Sequence, residues 1–248
     1  MPRYRLTIEY DGAGYSGWQR QANTASIQQA LEEAIARLNP STPHVGGAGR
    51  TDAGVHAQGQ VAHVDLARAW DGWRLREAIN AHLVNERIAV IQASPAPQDF
   101  DARRSATARH YRYVVINRRA PLVFERGRAW RVKAPLRAAP MHEAAQVLIG
   151  RHDFSTFRDA QCQANSPLRT LDYFQVEAEG ERVLFDVGAR SFLHRQVRSM
   201  VGSLVEVGLG KWSAADFRSA FEAADRRRCG PVAPPDGLYL MRVDYPAK

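Results

Sequence analysis

The sequence predicts an α+β protein of two similar halves with mixed, largely antiparallel sheets. Three observations carry this. Stretches of period two alternate with stretches of helical period along the whole chain. The order strand, then helix, occurs in both halves. Two late strands are joined by a tight hairpin, which favours antiparallel pairing.

The elements follow in order. Tyr4, Leu6, Ile8 and Tyr10 alternate with polar neighbours and predict a half-buried strand, ended by Asp11-Gly12. Ser26 suits a helix N-cap, with Gln29 placed to complete a capping box. Ile27, Leu31, Ala34, Ile35 and Leu38 continue at helical spacing until Asn39-Pro40 stops them. The glycine-rich run GGAGRTDAG at 46–54 leads into a strand near 59–66. A weaker helical pattern covers 74–83, and 88–93 reads as a strand. Pro95 and Pro97 then mark a linker-like stretch.

A boundary near 104 divides a half 1–104 from a half 105–248. The second half opens on a strand at 109–117 (RHYRYVVIN) and a helix at 141–149 ended by Gly150. Strands at 170–178 and 182–189 flank the Glu179-Gly180 turn. Leu193, Val197, Met200, Val201, Leu204 and Val205 form one stripe, which predicts a helix over 192–209. Leu238 to Tyr245 alternates again as a last strand.

Composition narrows the class. The chain has 248 residues, enough for a sizeable core, and 45% hydrophobic with 24% charged residues excludes a disordered chain. No apolar run approaches the roughly 20 residues that span a bilayer. The opening MPRYRLTIEY lacks the apolar stretch of a secretory signal. Cys162 and Cys229 are too few for a disulfide framework or a four-thiolate metal site. A cytoplasmic location is expected.

The formal net charge is +8, and only Lys133, Lys211 and Lys248 among the 34 cations are lysines. Arginine forks bind phosphate and stack on bases. From Arg103 to Lys133 there are ten basic residues, one acid (Glu125), and the aromatics Tyr111, Tyr113, Phe124 and Trp130. This mixture points to a nucleic-acid surface; a merely solvated basic face is the plainer alternative.

Two motifs are set aside. Gly12, Gly14 and Gly17 spell G-x-G-x-x-G after a strand, but a dinucleotide fold needs a helix opening inside the motif, and here it opens at Ser26. His56 and His63 lack metal-ligand spacing, so no metal is expected and tautomer-fixed or surface histidines are the simpler account.

The informative stretch is 46–63, GGAGRTDAGVHAQGQVAH. Its glycines allow close approach by a ligand. Asp52 lies at its centre. In an extended backbone Arg50 falls on the same side and would pair with it. An ionised, positioned carboxylate serves as a nucleophile or stabilises a developing cation. A structural turn with a surface ion pair fits the same spacing.

These residues resemble the tRNA pseudouridine synthase A family. GAGRTDAGVHAQGQVAH (47–63) matches its signature. YDGAGYSGWQRQ (10–21), FDARRSATARHYRYVV (100–115), DFSTFR (153–158), SFLHRQVRSMVG (191–202) and GLYLMRVDYP (237–246) follow in family order. The resemblance implies the pseudouridine synthase fold: two halves side by side, helices on the outer face, and a catalytic cleft between them. It implies isomerisation of uridines 38, 39 and 40 of the tRNA anticodon arm by a homodimer, without cofactor or metal. Asp52 takes the place of the catalytic aspartate and Arg50 that of the preceding arginine, paired with it and active in base flipping. Tyr111 takes that of the tyrosine lying against the target base. Arg198 takes that of an arginine near the aspartate. Arg109 and Arg112, flanking Tyr111, are further substrate-binding candidates. Val64 replaces an aromatic often found there, and the family varies where His194, Arg195 and Gln196 stand.

Read without the resemblance, Tyr111 is a strand aromatic in a sheet core and Arg198 a solvated helix arginine. Two other function classes use the same features: a non-catalytic RNA-binding protein, which the intact Asp52 disfavours, and a carboxylate glycosidase. The latter needs a second carboxylate, for which the loop offers only Asp65.

Overall fold

The computed structural model describes residues 1–38 and 43–246. The chain forms two compact units, Met1–Thr107 with the C-terminal stretch from Tyr239, and Ala108–Leu238.

The first unit contains β1 (Arg3–Tyr10), α1 (Ile27–Ala36), β2 (Gly46–Gly47), β3 (His56–Asp65), α2 (Gly72–Ala81) and β4 (Ile88–Ala96). β1 runs antiparallel to both β3 and β4, with Leu6 opposite Ala62 and Ala93. β2 pairs antiparallel with β3. Leu6, Ile8, Ile27, Leu31, Ile35, Leu75 and Ile79 are fully buried. Their spacing of two on β1 and of four on the helices is the pattern that names these elements in the sequence. Ser26 caps α1 by accepting from the Gln29 backbone amide, and the Gln29 side-chain amide donates to Glu33. The helix stop expected at Asn39-Pro40 lies outside the described residues. β4 runs through the stretch expected as a linker: Pro95 sits opposite Tyr4, on an edge strand where a missing N–H is tolerated.

The second unit contains β5 (Ala108–Asn117), β6 (Trp130–Val132), α3 (Ala138–Ala145), β7 (Gly150–Asp153), β8 (Leu168–Glu179), β9 (Arg182–Ala189), α4 (Gln196–Gly208) and α5 (Ala214–Glu222). β5–β9, β9–β8 and β8–β7 are antiparallel and β6 lies parallel to β5. α3 packs on β8, α4 and α5. Phe157 stacks on Phe217 and Phe221 within a core that also holds Tyr113, Phe174, Phe185 and Met200. α4 begins at Gln196 instead of 192, because Arg195 takes a left-handed φ of 57° just before it.

The last strand, β10 (Leu238–Asp244), does not stay with the second half as its sequence position suggests. It pairs in parallel with β3, Tyr239 opposite His56 and Leu240 opposite Ala57. The strands are thus mixed and largely antiparallel, as expected of an α+β chain. No helix among the described residues is long and apolar enough to cross a membrane.

Candidate active site

Asp52 lies on the loop between β2 and β3, and that loop is held from three sides. The Ala48 amide donates to the Val61 carbonyl (2.8 Å) and the Trp18 amide to the Thr51 carbonyl (3.1 Å). Beneath it, the Tyr10 hydroxyl and Thr51 Oγ1 share a buried hydrogen bond of 2.9 Å. Gln60 Nε2 donates to the Gly49 carbonyl (2.9 Å) and reaches the Tyr10 oxygen (3.3 Å). Burial pushes the Tyr10 phenol up to about 12, so it stays a neutral hydrogen-bonding group. The Val55 amide donates to the Asp52 carbonyl (3.1 Å) and closes a turn. Asp52 itself is half-buried.

The glycines of the set-aside motif grip the same loop. A Cβ on Gly12 would lie 2.1 Å from the Val55 carbonyl oxygen. At Gly17, with φ at +94°, it would lie 2.5 Å from the Thr51 oxygen. Backbone against backbone at these distances admits only glycine. The run therefore shapes the seat of Asp52.

Arg50 is exposed, two residues before the half-buried Asp52. The chain bends at Ala48-Gly49 and turns at Ala53-Gly54, with Arg50, Thr51 and Asp52 between them.

In the second unit, β5 places Arg109, Tyr111 and Tyr113 on one face and His110 and Arg112 on the other. Tyr113 is the core aromatic: it is fully buried, and its hydroxyl donates to the Pro234 carbonyl at 2.7 Å. Tyr111 is half-buried, with its ring edge-to-face against Phe192 at 5.2 Å and 89°. Phe192, in the loop before α4, is a neighbour that sequence reasoning missed. Its place in the SFLHRQ block was the available signal.

Arg109 is buried and donates through Nη1 to the Arg190 carbonyl (2.7 Å). Arg112 forms a two-pronged pair with Asp186 directly opposite on β9, at 2.8 and 2.9 Å. That hydrogen-bonded carboxylate raises the guanidinium pKa further. Arg112 is thus paired across the sheet, and Arg109 is bonded to the residue that follows β9. Arg198 is not a freely solvated helix arginine: it is half-buried on α4, its Nε donates to the Ala233 carbonyl (2.8 Å), and the Ala233 amide donates back to its carbonyl (3.1 Å).

Other groups sort by their partners. Asp65 is held by Arg3 through two hydrogen bonds of 2.9 and 2.7 Å. That pairing keeps its carboxyl below the ordinary carboxylate range, which is wrong for a glycosidase acid. His56 Nδ1 accepts from the Gly12 amide (3.0 Å) and its ring stacks on Tyr239 at 4.7 Å. Asp11 Oδ1 also lies 3.1 Å from His56 Nδ1. His63 Nδ1 accepts from the Ala102 amide (3.0 Å), which leaves the proton of a neutral His63 ring on Nε2.

A tRNA pseudouridine synthase family model matches residues 6–103 and 144–246. The chain belongs to the tRNA pseudouridine synthase family. It is 62% identical over 246 residues to a tRNA pseudouridine synthase A of Beijerinckia indica, covering 99% of this chain and 95% of that one. It is 61% identical to that of Maricaulis maris, covering 99% of each chain. It is 58% identical to that of Rhizobium meliloti, over 99% of this chain and 100% of the other. Asp52 and Arg198 fall inside the matched family segments, and Tyr111 falls between them.

Proposed function

We propose that the chain isomerises uridine to pseudouridine in tRNA, at positions 38, 39 and 40 of the anticodon arm, with Asp52 as the nucleophile. The reading is supported by family membership. The observation that carries it to a residue is the seat of Asp52: Tyr10, Thr51, Gln60, Gly12 and Gly17 hold the loop, while Asp52 is only half-buried.

Pseudouridine formation breaks the N1–C1′ bond, turns the uracil, and joins C5 to C1′. C5 loses a proton and N1 ends with one, so no electrons are gained or lost. The Asp52 oxygen adds to C6, attacks C1′, or assists proton removal at C2′; each route uses the same anion. The uridine leaves its stack at a cost of a few kcal/mol, recovered in the pocket. Arg50, exposed two residues before Asp52, is suited to the vacated stack or a flanking phosphate. The Tyr111 ring holds the detached uracil, and its hydroxyl is suited to relay the C5 proton, taking it up as it passes its own proton on towards N1.

The reading extends to a homodimer crossed by its tRNA and to the cytoplasm, where tRNA resides. The test is incubation of the chain with an unmodified tRNA transcript, followed by mapping of pseudouridine. Isomerisation at 38–40 with unchanged RNA mass supports the proposal. Release of free uracil, or binding without isomerisation, overturns it.

A further inference from the structure

The segment joining β5 to β6 carries at its middle an exposed pair, Val123 at 72% and Phe124 at 92% exposure. Such a pair on a floppy loop would signify little, but this loop is pinned. Arg118 bridges to Glu181 (3.1 Å) and donates to the Pro121 carbonyl (3.0 Å). Glu125, next to Phe124, is paired with Arg182. At the base, the Asn117 side-chain amide donates to the carbonyls of Val132 (2.9 Å) and Ala134 (2.6 Å). Both ion pairs anchor the loop to the turn between β8 and β9, so the aromatic ring is presented on a fixed support.

The charge around the tip selects its occupant. Arg119 and Arg126 flank the pair, are exposed, and make no ion pair among the described residues. The only acid of the segment, Glu125, is consumed by Arg182. A second copy of this chain docking tip to tip would set like charges against each other. A polyanion carrying flat bases satisfies both features at once. Bases stack on an exposed aromatic regardless of sequence, and arginines beside it take the phosphates.

We propose that the Val123–Phe124 tip is a stacking platform for an unpaired base of the bound tRNA, with Arg119 and Arg126 on the adjoining phosphates. This rests on the reading that tRNA is the substrate. It adds a contact that does no chemistry: binding depends on it and the isomerisation step does not.

The test uses the full chain and one unmodified tRNA transcript. Affinity, pseudouridine formation at saturating tRNA, and solution mass are measured for the wild type, Phe124→Ala, Phe124→Trp, and the Arg119→Ala/Arg126→Ala pair. Phe124→Ala is expected to weaken binding by about 5- to 150-fold, the range of one lost base–aromatic stack, at an unchanged saturating rate. Phe124→Trp is expected to restore binding. The arginine pair is expected to lower the log–log salt slope by roughly 1.4–1.8, two phosphates' worth. Wild-type affinity in Phe124→Ala overturns the platform. So does a lowered solution mass with unchanged tRNA affinity, which would make the tip a contact between copies. A wild type that forms no pseudouridine, while Phe124→Ala still binds tRNA less well, overturns the enzymatic reading and leaves the contact standing.

Discussion

The Tyr10 hydroxyl lies 2.9 Å from Thr51 Oγ1, and both groups are buried where β1 meets the loop that carries Asp52. Strand β1 thereby fixes the height of that loop through one side chain. Gln60, reaching Tyr10 and the Gly49 carbonyl, fixes it from β3.

Tyr10→Phe should cost about 1–3 kcal/mol, because Thr51 and Gln60 lose a buried partner. Thermal unfolding measures the loss and single-turnover rates show the loosened loop. Alkaline pH supplies a second readout. The folded-state pKa of Tyr10 is raised to about 12, above the roughly 10 of an unfolded tyrosine. The stability it contributes is therefore fully present below pH ~10 and lost as pH rises towards ~12. Tyr15, half-buried and hydrogen-bonded to Glu86, is also pushed up to about 12 and acts in the same direction. The wild type should lose stability across this window, and Tyr10→Phe should lose less of it.

Gly17→Ala should fold but act slowly. Its Cβ would sit 2.5 Å from the Thr51 carbonyl oxygen at a left-handed φ. The loop has to move to admit it. A displacement of about 1 Å at a reacting group costs on the order of 100-fold in rate. Pseudouridine formation alongside circular dichroism separates misplacement from misfolding.

Arg112 and Asp186 should behave as a cross-strand pair. The Arg112 side chain is 40% exposed and that of Asp186 27%, so the coupling in a double-mutant cycle should be only about 0.2–1 kcal/mol. Because the sheet already engages the guanidinium, Arg112→Ala should change tRNA affinity by less than about threefold, the effect of losing a screened charge rather than a bound phosphate. A larger loss would return Arg112 to the substrate surface.

Tyr111→Phe and Tyr111→Leu should separate ring from hydroxyl. Loss of the ring removes both a base stack, roughly 1–3 kcal/mol, and the edge contact with Phe192. If the hydroxyl takes the C5 proton, Phe should cleave the glycosidic bond and stall before product. Full activity in the Leu variant would return Tyr111 to a purely structural role.

Local chemistry was legible in the sequence. Alternation drew β1, Ser26 placed the start of α1, and Glu179-Gly180 marked the β8–β9 turn, where Gly180 takes a φ of 61°. α5 carries a full capping box, with the Ser213 and Asp216 side chains bonded to each other's backbone amides, and is visible in retrospect as S-x-x-D. What sequence could not show depends on partners far along the chain. Thr51 and Gln60 stand 41 and 50 residues from Tyr10. β10 joins β3 across most of the chain. A basic stretch likewise does not reveal which of its arginines make hydrogen bonds within the fold, as Arg109 and Arg112 do. Asp52 stood out through its glycine-rich motif and the family resemblance, while the side chains that hold its loop from below, Tyr10 and Gln60, belong to β1 and β3.

The central claim is that the Asp52 carboxylate carries the reaction, and single-turnover pseudouridine formation by Asp52→Asn on one tRNA tests it most directly. The amide keeps the shape and loses the anion. The expected result is tRNA bound with near wild-type affinity and no pseudouridine over the time in which the wild type converts all of it. More than a few per cent of the wild-type rate, with mass spectrometry showing the asparagine intact, would contradict the assignment.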